Sequence, residues 1–251
     1  MKVLRRGSLG PQVQLLQLAL SRAGYLNAAG IDGVFGSVTY GALRRFQSEN
    51  GLVPDAVAGP LTWSALTKWL TGFLTKKIVP GDTFYGIAAR YGSSLQALQT
   101  ANPALDPSNL QIGSTIVVPL DFRVVPANVS VTSTMVDFCL RGLKARYPFL
   151  TVGRIGSSVL GKPLNSIDIG TGANQVFYNA AHHSDEWITS TLLLTFLEDY
   201  AYAYATGGRL FEYTAAELIN GTRLSIVPLV NPDGDGFLSD NENNKFQQKN
   251  A

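Results

Sequence analysis

Two stretches of the amino-terminal third, IDGVFGSVTYGAL (31–43) and PDAVAGPLTWSAL (54–66), superimpose at an offset of 23 residues. Asp32 falls on Asp55, Gly36 on Gly59, Thr39 on Thr62, Tyr40 on Trp63, and Ala42-Leu43 on Ala65-Leu66. Each copy reads as an acid-led turn, a glycine where the backbone must bend, and a helix entered near the threonine. Ahead of them, SLGPQVQLLQLALSRAGY offers Ser8 and Pro11 as helix-start signals, and Val13, Leu16 and Leu20 make one apolar stripe. Three short helices sharing one small core are predicted.

The same residues carry a family likeness. Ser8, Gly10, Val13, Leu16-Gln17 and Leu20, then DGVFG, FQ at 46–47, NGL at 50–52 and GPLTW at 59–63, resemble the peptidoglycan-binding domain of bacterial cell-wall hydrolases. The likeness covers residues 3–70 and sets a first domain at 1–72. It implies a peptidoglycan partner; the turn repeat alone also fits a helical bundle with no ligand. Ala56 stands where the family repeats a glycine, which stiffens the second turn without abolishing the fold. Residues 1–70 hold seven Lys/Arg against three Asp/Glu, a mild excess suited to an anionic polymer surface.

A second block, at 76–120, opens on the β-rich run Ile78-Val79 and closes on STIVVP. Between them, Asp82-Thr83 introduces a helix carrying Phe84, Ile87, Ala88 and Tyr91. Ser93, with Gln96 three residues on, introduces another carrying Leu95 and Leu98. Asn102-Pro103 and Asn109 punctuate the return. PGDTFYGIAARYG and ANPALDPSNLQIGSTIVVP together resemble the βααβ LysM module, which implies a partner glycan containing N-acetylglucosamine. The likeness places the glycan groove between two loops, with Gly81, Asp82, Thr83 and Phe84 on one side and Leu110 and Ile112 on the other. Tyr85 and Tyr91 read as core or supporting residues rather than stacking ones.

The connector LDFRVVPANVS leads to a third block, 127–251, of α/β type. A capped helix (133–146) precedes two β-rich stretches that flank the hairpin signal Gly161-Lys162-Pro163. NQVFYNAA (174–181) reads as a buried strand, DEWITSTLLLTFLEDYAYAYA as a long helix and TRLSIVPLV (222–230) as another buried strand. Strand, helix, strand through an apolar sheet is the pattern of a mostly parallel or mixed sheet. Cys139, the single cysteine, shares a helical stripe with Val136, Leu140 and Leu143 and reads as a buried hydrophobe rather than a nucleophile.

Both histidines of the chain lie in the dipeptide His182-His183, and Glu186 follows. In an α/β sheet, the turn from strand into helix is where ligands gather. His183 and Glu186 can reach one ion across that turn, although H-x-x-E spacing is equally what a surface His–Glu pair produces. His182 could instead pair with Glu186 at helical spacing. HSDEWIT after an apolar strand, with VPLVNPDG (227–234) beyond, resembles the zinc carboxypeptidase family over residues 130–234. The resemblance implies zinc, with His183 and Glu186 as two of three ligands. It makes His182 a structural neighbour and Asn231-Pro232-Asp233-Gly234 a loop beside the cleft.

The three blocks together resemble the γ-D-glutamyl-diamino acid endopeptidases, zinc enzymes that cut the peptidoglycan stem peptide. The family's third ligand is a histidine beyond NPDG, followed by the general-base glutamate and substrate-binding arginines. Here DGFLSDNENNKFQQKNA contains neither histidine nor arginine, and it reads as a solvated end. Asp235, Asp240 and Glu242 could donate oxygen but match nothing in the family. The expectation is a truncated catalytic domain with an exposed sheet edge, inactive and with no catalytic residue of its own; the alternative is a non-catalytic glycan-binding protein.

A net charge of +2 gives no reason to expect nucleic acid. The start, MKVLRRGSLGPQVQ, lacks the apolar core of a secretory signal, and EWITSTLLLTFLEDY is too short and too acidic to span a bilayer. A wall- or spore-associated location is expected, by an export route that the residues do not spell out.

Overall fold

The computed structural model describes residues 1–127, 129 and 131–234. Asp235, Asp240 and Glu242, with the polar stretch around them, lie outside the described residues.

Three helices, α1 (Pro11–Arg22), α2 (Ser37–Glu49) and α3 (Pro60–Thr71), make the first module. Pro11 and Pro60 open α1 and α3 at positions whose N–H groups would otherwise lack partners. Ser8 is not the cap expected of it. Its hydroxyl accepts the Arg5 N–H at 3.1 Å, while Gly10, in the left-handed region at φ 97°, precedes Pro11.

The repeat closes on two buried glutamines. The Gln17 amide nitrogen lies 2.7 Å from Asp32 Oδ1, 3.1 Å from the Val34 carbonyl and 2.9 Å from Thr39 Oγ1. The Gln47 amide meets Asp55, the Val57 carbonyl and Thr62 at 3.0, 3.0 and 3.2 Å. Each glutamine oxygen accepts turn N–H groups in return, from Asp32 and Gly33 in one copy and from Ala56 in the other. The aspartate–threonine spacing seen in the sequence is therefore the outline of a duplicated buried polar network. Ala56 takes the left-handed conformation of its counterpart Gly33, at φ 57° against 76°, a strain the surrounding bonds hold in place.

Gly72, also left-handed at φ 75°, ends α3, and the chain passes directly into β1 (Phe73–Lys77). The first strand of the second module thus lies earlier than Ile78-Val79. Its lysines disguised it: Lys76 packs against the Asp82 carboxylate instead of standing in water. Then come α4 (Phe84–Tyr91), α5 (Leu95–Ala101) and β2 (Thr115–Pro119), which pairs antiparallel with β1. Thr83 caps α4 as expected. The cap of α5 is Ser94 rather than Ser93, because the Ala97 N–H meets Ser94 Oγ at 3.0 Å. Leu98 is buried, whereas Leu95 is exposed. Ile78, Phe84, Ile87, Leu98, Ile116 and Val118 form this module's own small core.

The α/β domain runs α6 (Ser133–Arg146), β3 (Thr151–Ser157), β4 (Pro163–Ile169), β5 (Asn174–Asn179), α7 (Trp187–Ala205), β6 (Arg209–Leu210), β7 (Tyr213–Thr214), α8 (Ala215–Gly221) and β8 (Thr222–Val227). The main sheet has the order β3-β4-β8-β5, with β5 parallel to β8 and the other pairs antiparallel, so it is mixed. The strand expected to be buried at 174–181 forms, but β5 is largely exposed. Among the described residues only β8 pairs with it, which leaves Phe177 and Tyr178 in solvent. Cys139 is fully buried, and burial pushes its thiol up to about 12, as suits a packing residue.

One apolar core continues from the first module into the α/β domain. At their junction Glu198 of α7 is 3% exposed, and its carboxylate accepts the N–H groups of Val124 and Val125 at 2.7 and 3.0 Å. Arg146 and Arg123 each lie 3.8 Å from it. From the first module, Arg22 donates to the carbonyls of Trp69, Arg123 and Val124. The backbones approach so closely that a Cβ on Gly142 would sit 2.1 Å from the Thr71 carbonyl oxygen. Gly142→Ala is expected to cost about 2 kcal/mol by overpacking, read as a lower urea midpoint. An unchanged midpoint would show that α3 and α6 are not locked together.

Candidate metal centre and glycan loops

The parallel strand β5 ends at Asn179, and residues 180–186 turn the chain into α7. Ala181 takes the left-handed conformation at φ 52°, rare for a residue with a Cβ. The bend aims His183 back over the helix start. His183 Nδ1 lies 2.7 Å from Glu186 Oε1, and the His183 N–H donates to Glu186 Oε2 at 3.0 Å. The hydrogen bond to Glu186 raises the imidazole pKa, and the same bond lowers that of the carboxyl. His183 is 77% exposed, so the pair faces solvent. His182 turns away to Asn179, its Nε2 2.7 Å from the amide oxygen.

The loop at 231–234 buttresses this bend. The Asn231 N–H donates to the Ala181 carbonyl at 3.0 Å, and its side-chain amide donates to the His182 carbonyl at 3.1 Å. Thr189 fixes the other side, accepting the Ala181 N–H at 2.9 Å and donating to the Glu186 carbonyl at 2.7 Å. Asp233 reaches the β3–β4 turn, where it accepts from Ser158 Oγ and the Leu160 N–H. Sequence reading found the loop but missed Ala181 and Thr189. No pattern marks an alanine forced to positive φ.

A catalytic zinc takes three protein ligands and keeps a further position for water. His183 and Glu186 converge as two such ligands would. Among the described residues no group of three His, Cys, Asp or Glu is placed to hold a metal.

In the second module, Gly81 is exposed, with φ 83°. The Asp82 carboxylate is occupied by Lys76 and the Val79 N–H, contacts that lower its pKa, hydrogen bonding to Lys76 foremost. Thr83 Oγ1 accepts the Gly86 N–H at 2.9 Å. Phe84 is buried in the core, Leu110 packs against that core and Ile112 is exposed. Tyr85 is not a core residue: it is 76% exposed, because α4 turns its other face inward. Tyr91 does pack on the core.

Residues 10–66 match the peptidoglycan binding domain family, residues 77–119 the LysM domain and residues 137–250 the zinc carboxypeptidase family. The chain therefore carries, in order, stretches similar to a peptidoglycan binding domain, a LysM domain and a zinc carboxypeptidase domain.

It is 38% identical over 115 residues to gamma-D-glutamyl-L-diamino acid endopeptidase 1 of Lysinibacillus sphaericus, covering 46% of this chain and 29% of the relative. It is 30% identical over 152 residues to the uncharacterized protein YqgT of Bacillus subtilis, covering 60% of this chain and 38% of that one. A spore cortex-lytic enzyme of Oceanobacillus iheyensis is 38% identical over 86 residues, 33% of this chain and 31% of the enzyme. The chain spans about a third of the length of these relatives. No helix among the described residues is long and apolar enough to cross a membrane.

Proposed function

We propose that this chain is a peptidoglycan-directed protein of the zinc metallopeptidase class. In this reading its two small modules hold wall glycan, and its α/β domain addresses γ-D-glutamyl-diamino acid bonds of the stem peptide at the cell wall or spore. The matches to a peptidoglycan binding domain and a LysM domain support the first part, together with the activity for which the Lysinibacillus sphaericus relative is named. The glycan would lie across the exposed loops holding Gly81 and Ile112. Asp82, Thr83, Phe84 and Leu110 would shape those loops from beneath.

The observation that carries the second part is the convergence of His183 and Glu186 at 2.7 Å on a bend held by Asn231 and Thr189. These two side chains would hold the zinc. The chain has no histidine besides His182 and His183, and the described residues place no third acidic or thiol donor beside the pair. The two small modules carry the wall-binding part of this reading, and His183 with Glu186 the metal-binding part.

The full chain is expected to sediment with insoluble peptidoglycan equally with and without added zinc. His183→Ala is expected to leave sedimentation unchanged and to weaken zinc binding at least ~10-fold, because it removes one of two donors. Zinc binding that His183→Ala leaves unchanged would overturn the assignment of this pair as donors. Failure of the full chain to sediment would overturn the wall-binding one.

A further inference from the structure

One edge of the main sheet is open and carries no charge. β5 reads Asn174-Gln175-Val176-Phe177-Tyr178-Asn179, and among the described residues β8 is its one partner. Edges that stay unpaired are usually blunted by charges, prolines or bulges. The opposite edge of the sheet follows that rule, because β3 carries Arg154 and a shift of register between Arg154 and Gly156. β5 has no charge and no proline, and its register with β8 runs without a shift.

One bond sets the direction of its free backbone groups. The Ala180 N–H donates to the Val227 carbonyl at 3.1 Å. Backbone groups point to alternate sides along a strand, so those of Val176 and Tyr178 face β8. Those of Gln175, Phe177 and Asn179 face the open edge. Side chains alternate between the two faces of the sheet. Val176 and Tyr178 line an apolar cavity of about 230 Å³ together with Phe196, Phe211, Tyr213 and Leu218. Phe177 stands on the other face. Phe177, Tyr178 and Tyr213 are each about half exposed, and Phe211, held at φ 54°, is 92% exposed. At 150–250 Å² for a buried aromatic side chain, these four leave roughly 500 Å² of aromatic surface in water.

Two copies of this strand complement one another. A two-fold axis normal to the sheet keeps each face continuous, so residues opposite one another must share a face. An axis at Phe177 meets that condition. It sets Phe177 opposite its own counterpart, Val176 opposite Tyr178, and Gln175 opposite Asn179. Every outward N–H and C=O of β5 then bonds across the axis, and the apolar pairs are of the aromatic and β-branched kinds that stabilise sheets. An axis at Val176 would instead leave the groups of Asn179 beyond the end of the second strand. Two copies bring roughly 1,000 Å² of aromatic surface to the junction, the size at which a specific but weak interface begins. We infer that β5 is a dimerisation strand, through which two copies of this chain join their four-stranded sheets antiparallel about Phe177. This surface owes nothing to the metal-binding or glycan-binding readings.

The test is the mass of the full chain by sedimentation equilibrium, in a dilution series starting near ~100 μM, as a small interface requires. Twice the chain mass of 27.0 kDa is expected at the top of the series, falling to the chain mass on dilution. Phe177→Lys sets like charges opposite one another, and is expected to raise the dissociation constant at least ~30-fold at an unchanged thermal midpoint. Phe177→Cys is expected to form a disulfide between copies under mild oxidation, since the Cα atoms of such a pair lie about 5.5 Å apart. Cys139 is fully buried and does not compete. Asn174→Cys is expected to stay reduced, because its two copies would lie about 20 Å apart along the strands. A monomer at every concentration would overturn the inference, as would a dimer that Phe177→Lys leaves intact or equal cross-linking of the two cysteine variants. A dimer that forms only after deletion of residues 235–251 would overturn it too, by showing that the chain covers its own edge.

Discussion

Replacing Glu198 with alanine is expected to lower stability by about 4 kcal/mol, roughly 10 °C in the thermal midpoint. The carboxylate is buried at the junction, where it accepts two backbone N–H groups and faces Arg146 and Arg123. Removing it strands the Val124 and Val125 N–H groups and leaves Arg146 without its counter-charge. Arg22 would be affected as well. Burial already pulls its guanidinium down to about 10, and the charge of Glu198 is one of the influences opposing that shift. The fitting comparison is Asp199→Ala, which breaks the exposed Arg123–Asp199 pair at 2.5 Å. An exposed pair contributes less than about 1 kcal/mol, so Asp199→Ala should scarcely move the midpoint. Equal effects from the two variants would show that Glu198 is not the clamp between the modules.

Gln17→Ala is expected to cost about 3 kcal/mol and to reduce sedimentation with peptidoglycan at 37 °C. One side chain satisfies the Asp32 turn from within: its oxygen takes the Asp32 and Gly33 N–H groups, and its amide serves Asp32, Val34 and Thr39. Alanine would leave several of these groups buried without partners, each worth about 1–3 kcal/mol before relaxation. Gln47→Ala should come close to it, because the second copy makes all but one of the same connections. Chemical denaturation of both variants decides the matter, and a loss below about 1 kcal/mol in either would mean that water replaces the glutamine.

Much of the fold was legible because local signals agreed with one another. Pro11 and Thr83 begin helices where they stand, and the helix expected over 133–146 forms as Ser133–Arg146. The hairpin at Gly161-Lys162-Pro163 and the parallel pairing of β5 with β8 followed from turn chemistry and apolar runs. The errors share one cause, which is that a residue's neighbour in space was not its neighbour in sequence. The apolar run Ile78-Val79 was taken as the opening strand, while β1 lies just before it and carries Lys76, whose partner Asp82 lies across a turn. Ser93 looked like a cap, but Ser94 has the geometry that reaches the Ala97 N–H. Strand 174–179 was apolar enough to be taken as buried, yet it is the edge of the described sheet.

The candidate metal centre divides in the same way. His183 and Glu186 could be named from their spacing and from the NPDG motif beyond them. The bend that brings them together depends on Ala181 at positive φ and on bonds from Thr189 and Asn231, which no local pattern encodes.

The sequence by itself determined the order of the three blocks, several helix starts and the nearness of His183 to Glu186, since propensity, capping and repeat spacing act over a few residues. Only the tertiary structure decided how the modules are joined. A shared core, a buried carboxylate serving two distant backbone N–H groups, and a glycine pressed against the carbonyl of another helix depend on closeness in space, and closeness in space is set by packing the whole chain at once.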